Sequence, residues 1–280
     1  QRRRRTFIFA YRSHTTSAYQ AVDASQYRNK SKQEENRQCM NSVLVHDGCF
    51  AETFTVYDVD SKQMKIVELP EGIGELSEEF EFNFENTGVM KDGVVYTTKT
   101  MPKYEGNVTT LGDIMEKEEV DKKYFIPKEK LYYTNPNITH SDETHGKLPK
   151  EERQTWQYIK GAKKLARKSS GGLEYIFSEG AIPMVDDEDK PARTMLTSEG
   201  GFNRSTHIVK DKKTGNIRLL TAGETERIQG FPTDHTKYCL VNGETVEMPL
   251  DKRRFMMGNA LVVNLIADME ETLDKIFEKE

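Results

Sequence analysis

Residues 218–232 run Arg218-Leu219-Leu220-Thr221-Ala222-Gly223-Glu224-Thr225-Glu226-Arg227-Ile228-Gln229-Gly230-Phe231-Pro232. The stretch reads as a helical turn over residues 224–228, stopped by Gly230-Phe231-Pro232, because neither glycine nor proline continues a helix. Phe231-Pro232 is a packing turn with no chemistry of its own. Arg218, Glu224, Arg227 and Gln229 are the informative side chains. An arginine meets a carboxylate through two parallel hydrogen bonds, and such a pair, once buried, fixes the orientation of the parts it joins.

Two further blocks flank this one. At the start, Gln1-Arg2-Arg3-Arg4-Arg5 leads into Thr6-Phe7-Ile8-Phe9-Ala10-Tyr11, an apolar run that predicts a strand buried on both faces of a sheet. Near the end, Phe255-Met256-Met257-Gly258-Asn259-Ala260-Leu261-Val262-Val263 predicts a helix opening at Gly258-Asn259. Asn259 is its natural N-cap, with free backbone N–H groups suited to a carboxylate. Leu261, Leu265, Met269, Leu273 and Ile276 continue one apolar stripe along that helix.

Between the blocks, strands are expected at residues 43–45, 54–57, 65–67 and 94–98, the last after the turn Asp92-Gly93. A short helix is expected at 110–114. A longer one is expected over 149–168, with Trp156, Ile159 and Leu165 inward, its basic residues outward and Gly171-Gly172 at its end. Residues 13–42 read as a connection, and 173–220 as short strands and loops.

A chain of 280 residues with 35% apolar content folds as at most two compact units. No apolar run is long enough to span a bilayer, and no signal-peptide pattern opens the chain. The three cysteines form neither a disulfide framework nor a ligand spacing, which fits a reducing cytosol. The six histidines have no ligand spacing either, so no metal is expected. The net charge of −5 argues against a nucleic-acid partner only on average. Arg153, Lys160, Lys163, Lys164, Arg167 and Lys168 form a stretch without a carboxylate, and screening limits each charge to a reach of about 10 Å.

Taken in order, the three blocks resemble the last three motifs of the DNA (cytosine-5) methyltransferases: the Gln-x-Arg-x-Arg strand, the segment ending Arg-x-Gln-Gly-Phe-Pro, and the Gly-Asn-Ala/Ser helix start. Residues 191–207 resemble the end of that family's target-recognition domain. Residues 88–114 resemble the same domain in bacterial members that read short GC-rich palindromes. The family's Pro-Cys nucleophile is absent, since Cys39, Cys49 and Cys239 follow Gln38, Gly48 and Tyr238. Its Glu-Asn-Val triplet and Gly-rich cofactor loop are absent too. All three precede the Gln-Arg strand in the family. The expectation is a piece of a longer chain, or a second polypeptide completing a split enzyme.

The resemblance implies an α/β fold: the edge strand and closing helix of a Rossmann-like methyltransferase domain (1–13 and 258–280), plus a mixed α+β target-recognition domain (14–257) that includes 218–232. It implies S-adenosylmethionine as cofactor, double-stranded DNA and an N-terminal methyltransferase portion as partners, and a bacterial, cytoplasmic, nucleoid-associated setting. In this chemistry a thiolate adds at C6 of a flipped cytosine, making C5 nucleophilic toward a sulfonium methyl. A fixed guanidinium near the pyrimidine O2 stabilises the resulting charge. Arg5 is implied for that contact, Arg3 for the adjacent phosphate and Gln1 for bracing the strand. Asn259 and Ala260 are implied at the cofactor's edge, with an ordinary helix cap as the alternative. Arg218, Glu224, Arg227 and Gln229 are implied at the joint of the recognition and catalytic domains.

Base reading is expected from residues 193–207, because arginine pairs bidentately with guanine and threonine methyls meet thymine methyls. The candidates are Arg193, Thr194, Ser198, Arg204, Ser205 and Thr206. Lys160, Lys163, Lys164 and Arg167 are expected on a phosphate rail, with a solvated helix face as the alternative. A stand-alone DNA-binding module and a protein-interaction subunit remain alternatives to an enzyme part. For an enzyme completed by its Pro-Cys portion, Arg5→Ala is expected to slow methylation far more than it weakens duplex binding. Equal losses in the two assays would assign Arg5 to phosphate positioning alone.

Overall fold

The computed structural model describes residues 6–10, 12, 33–78 and 83–279. They fall into two compact units, one built from residues 6–107 with 264–279 and the other from 108–263. Helices and strands are mixed in both.

In the first unit, β1 (Lys65–Glu68), β2 (Thr87–Lys91) and β3 (Val94–Thr98) form an antiparallel sheet in the order β1-β3-β2. Asp92 and Gly93 both have positive φ (50° and 76°), the two-residue turn that matches the natural twist of paired strands. Tyr96 of the central strand faces Ile66 on one side and Val89 on the other. It is buried in a core with Met40, Met64 and Val94.

Met40 comes from the helix Gln33–Ser42, which runs on as a π-helical turn, Val43–Asp47, and is followed by the helix Cys49–Thr53. The strands expected at 43–45 and 54–57 are thus absent, apart from one bridge between Val56 and Pro102. The β-branched Val43 and Val45 follow the helix because Leu44, four residues after Met40, packs on the same core. Cys39 and Cys49 accordingly lie on helices, and of the two only Cys49 is buried.

Residues 6–10 form no strand, and Ile8 is 87% exposed, so the doubly buried strand is not found there. Phe7 instead meets Phe50 edge-on, with centroids 6.4 Å apart. The single terminal helix is also replaced, by two short ones, Val263–Ala267 and Glu270–Phe277. Thr272 of the second shares a 3.0 Å hydroxyl contact with Thr53.

The second unit carries three antiparallel pairs: β4 (Lys163–Lys168) with β5 (Glu174–Glu179), β6 (Ile208–Lys210) with β7 (Ile217–Leu219), and β8 (Tyr238–Val241) with β9 (Glu244–Glu247). Successive residues of β6 feed two cores. Ile208 joins Ile126, Leu131 and Trp156, while Val209 joins Met195, Leu220, Ile228 and Met257, as strand alternation requires.

The long helix expected over 149–168 shrinks to Trp156–Lys160. Thr155 caps its start by accepting from the Tyr158 amide, and Gly161 ends it. Lys163, Lys164, Arg167 and Lys168 then lie on β4, Arg153 and Lys160 do not, and Gly171-Gly172 form the tip of a hairpin.

The helix Ala222–Ile228 is buried almost throughout. Thr221 Oγ accepts from the Glu224 amide (3.1 Å), and the Glu224 carboxylate accepts from the Thr221 amide (2.7 Å). This is a reciprocal cap. The same carboxylate takes both ends of the Arg218 guanidinium, at 2.8 and 2.7 Å, and the Glu116 amide at 2.7 Å. Arg218 Nε donates to Asp211 (3.1 Å). Burial disfavours the Arg218 charge, but hydrogen bonds and attraction from Glu224 and Asp211 outweigh it and raise the pKa.

Breaking a buried pair by removing one partner costs about 3–5 kcal/mol. Arg218→Met and Glu224→Leu are each expected to lose that much in urea unfolding. The double variant is expected to lose clearly less than the sum of the two, because neither charge is then left alone.

Candidate functional site

Residues 196–207 form a loop with two contrasting faces. Leu196, Thr197, Ser198, Gly201 and Phe202 are exposed, whereas Met195, Glu199, Thr206 and His207 are buried. The loop largely satisfies its own polar groups. Asn203 Nδ2 donates to Ser198 O (2.7 Å) and lies 3.0 Å from Thr206 Oγ, and Thr206 Oγ donates to Gly201 O (2.6 Å). Phe202 meets Trp156 edge-on at 4.9 Å.

Beneath the loop lies a set of buried charged groups. The Glu199 carboxylate accepts from the His207 amide and sits beside His207 Nδ1, both at 2.9 Å. Asp186 accepts from Arg193 through two nitrogens and from the Ile208 amide (2.9 Å). Burial alone would raise the Asp186 pKa, yet the Arg193 hydrogen bond and nearby positive charge bring it below its ordinary value. Lys160 is 2% exposed and donates to Thr206 O (2.6 Å), with Asp186 4.0 Å away. Burial pushes its ammonium down to about 8.

The structure divides the expected DNA-reading residues. Arg193 is spent on Asp186 and on Thr206 O (3.2 Å). Arg204 is spent on Gly161 O (3.0 Å), Gly180 O and Glu179 (3.2 Å), so it clasps the base of the β4–β5 hairpin to the loop. Thr206 is fully buried. Thr194 and Ser205 line an open depression of about 320 Å³ together with Arg193 and Leu196. Ser198 is free at the surface.

Lys163 is buried, with its ammonium on the carbonyls of Tyr158, Gly161 and Ala162. Lys164 is exposed on the other face of β4. Every guanidinium nitrogen of Arg227 is engaged, by Ile114 O, Thr233 Oγ and Glu116. Gln229 donates to Met257 O.

The expected helix start at Asn259 is reversed. Asn259 is the last residue of the helix Leu250–Asn259, and Ala260 is the extended residue that follows it. That end presents carbonyls, not the amides expected there, because the helix is built from residues before Gly258. Asn259 is exposed and Ala260 half-buried. Gln1, Arg3 and Arg5 lie outside the described residues.

The sequence matches the C-5 cytosine-specific DNA methylase family over residues 1–275. The chain belongs to that family. This methylase chain is 36% identical over 277 residues to the Type II methyltransferase M.Sau3AI of Staphylococcus aureus, a match covering 99% of the chain and 55% of that relative. It thus spans about half the relative's length. A solved structure, an Entamoeba histolytica methyltransferase EhMeth, aligns with 76% of the chain and 54% of its own, at 10% identity and a TM-score of 0.31, and adds nothing to the fold described above. Among the described residues of the methylase chain, no cluster of His, Cys, Asp or Glu could hold a metal ion, and no helix is long and apolar enough to cross a membrane.

Lys160, expected outward on the phosphate rail, is instead buried beneath the loop, and sequence reasoning missed Asp186, Glu199 and His207 beside it and Glu226, Arg253 and Arg254 behind. Glu226 is fully buried and accepts from Arg253 (2.8 Å) and from the amides of Asp234 and Thr236. One signal was readable. Thr221 followed three residues later by Glu224 is the spacing of a reciprocal cap.

The Lys160 ammonium has a folded pKa below its ordinary value of 10.5. The unfolded chain therefore binds more protons between about pH 8 and 10.5, and stability rises with pH across that window. Lys160→Met is expected to abolish that contribution. The check is the urea midpoint of wild type and variant at about pH 7.5 and pH 10, with the wild type gaining more on the shift to high pH.

Proposed function

We propose that this chain supplies duplex recognition, flipped-cytosine stabilisation and cofactor-pocket closure to a DNA (cytosine-5) methyltransferase acting within a restriction-modification system. Methyl transfer then requires a further portion, in the same chain or a separate subunit, that carries the Pro-Cys nucleophile. One observation carries this reading. A methylase-family chain without a Pro-Cys pair presents a loop, 196–207, whose inner face is locked by buried ion pairs and whose outer face is open. A reader of base edges must be held rigidly, and its support must come from a shell of fixed partners.

In this reading the loop enters a groove with Ser198, Thr194 and Ser205 as polar contacts, and small residues such as Gly201 let backbone approach the bases. Arg193, Arg204 and Thr206 act from behind, by holding the loop's shape. Lys164 on the hairpin meets phosphate, and Lys163 orients the hairpin's base. Arg5 stabilises charge on the attacked pyrimidine, and Arg3 holds the neighbouring phosphate. Arg218, Glu224, Arg227 and Gln229 keep the recognition domain, 14–257, in register with the catalytic parts, 1–13 and 258–280.

S-adenosylmethionine supplies an electrophilic methyl group when bound. The residues fit one edge of it. The carbonyl end of the helix Leu250–Asn259 favours a positive group, the exposed Asn259 amide can donate or accept, and Ala260 leaves room beside it. The setting proposed is the bacterial cytoplasm, at the nucleoid.

The chain alone is expected to transfer no methyl group to duplex DNA. Activity is expected to appear when a polypeptide carrying the family's Pro-Cys loop and Gly-rich cofactor loop is added. Incorporation of tritiated methyl from S-adenosylmethionine measures both, and turnover by the lone chain overturns the proposal.

A further inference from the structure

The helix Leu250–Asn259 and the loop 196–207 approach each other backbone to backbone. A Cβ placed on Gly258 would lie 2.4 Å from Leu196 C, 2.4 Å from Thr197 N and 2.5 Å from Leu196 O. Carbon atoms in ordinary contact sit at about 3.5–4.0 Å, and none of these three atoms belongs to a side chain that could swing away. One turn earlier on the same face, Arg254 lies against Gly200. A Cβ on Gly200, whose φ is +81°, would fall 2.3 Å from Arg254 Nη1. Arg254 is held in turn by Leu220 O (2.6 Å), immediately before the cap of the helix Ala222–Ile228. The loop thus rests on a helix face whose Arg254 is itself tied to the segment leading into the buried helix.

We propose that Gly258 is a positioning residue for base recognition: its missing side chain lets the helix Leu250–Asn259 set the height of the loop 196–207, so that the stretch opening the family's Gly-Asn motif also determines which sequence is read. The proposal rests on the reading of that loop as the DNA reader. It assigns Gly258 and Asn259 different duties. Gly258 faces the loop from a buried position, while Asn259, the next residue, is exposed at the helix end. A methyl group on Gly258 displaces the Leu196–Thr197 backbone by about 1 Å, a misplacement of the order that costs about a hundredfold where atoms must meet in register.

The test incubates the 280-residue chain with a pool of duplexes randomised over a short central window and sequences the bound fraction. Wild type is expected to enrich a defined sequence. Gly258→Ala is expected to lower that enrichment at least tenfold while binding to the unselected pool at low salt changes less than threefold. Phe255→Ala, at an exposed position on the same helix, is expected to keep the enrichment. If Gly258→Ala fails to fold, Gly200→Ala presses the loop against the Arg254 side chain, one turn earlier on the same helix face, and loss of enrichment there supports the proposal. Enrichment retained in the folded glycine variant, or lost equally in Phe255→Ala, overturns it. A wild-type chain that enriches no sequence removes the recognition reading itself, and this proposal with it, a result distinct from the other two.

Discussion

A guanidinium with no access to water must be met on every side, and Arg218 is met by Glu224, Asp211 and the Leu219 carbonyl. Removing a charge of that size from water costs several kcal/mol, returned only when geometry is good and the remaining donors are satisfied. Glu224 binds the guanidinium, caps its own helix and takes the amide of Glu116 from a segment 108 residues away. One carboxylate therefore sets where β7 ends, where the next helix begins and where residues 114–116 lie against it. A second carboxylate on the same helix, Glu226, does the equivalent for residues 234–236 and for Arg253. The loop 196–207 depends on both, because the helix that supports it is anchored through Arg253 and Arg254.

How much of this was readable in the amino acids depended on how local the cause was. The Asp92-Gly93 turn and the strand after it, the short helix at 111–114 and the helix ending before Gly230 each have a cause within a few residues. The segment 43–57 did not. Its valines favour strands, yet the contact of Leu44 with a core built around Tyr96 decided for helix. Residues 149–168 carry an apolar spacing that suits a helix, but a cap at Thr155 and a break at Gly161 divide it. The same holds at Asn259, an excellent N-cap by type that closes a helix instead of opening one.

The site shows the same limit at the level of side-chain roles. The segment 191–207 stands out for its arginines, glycines and hydroxyls, and the structure gathers it into one exposed loop. Which arginines face outward was not legible, since a guanidinium suits a carboxylate and a phosphate equally well. Asp186 and Glu179 lie outside the segment, and only the fold brings them to Arg193 and Arg204. Lys160 carries no local mark of burial, and its companions come from strands and loops far along the chain. The shape of the loop 196–207 is therefore set by its buried support as much as by its outer residues.

The clasp that Arg204 makes on Gly161, Gly180 and Glu179 bears on ionic strength. A cation already neutralised inside the protein displaces no counterions when the duplex arrives. On the proposed reading, Arg193, Arg204, Lys160 and Lys163 are all engaged internally, so the salt sensitivity of duplex binding falls to Arg3 and to outlying cations such as Lys164, and a chain of net negative charge gains little from long-range attraction. Such a reader finds its target by fit at close range.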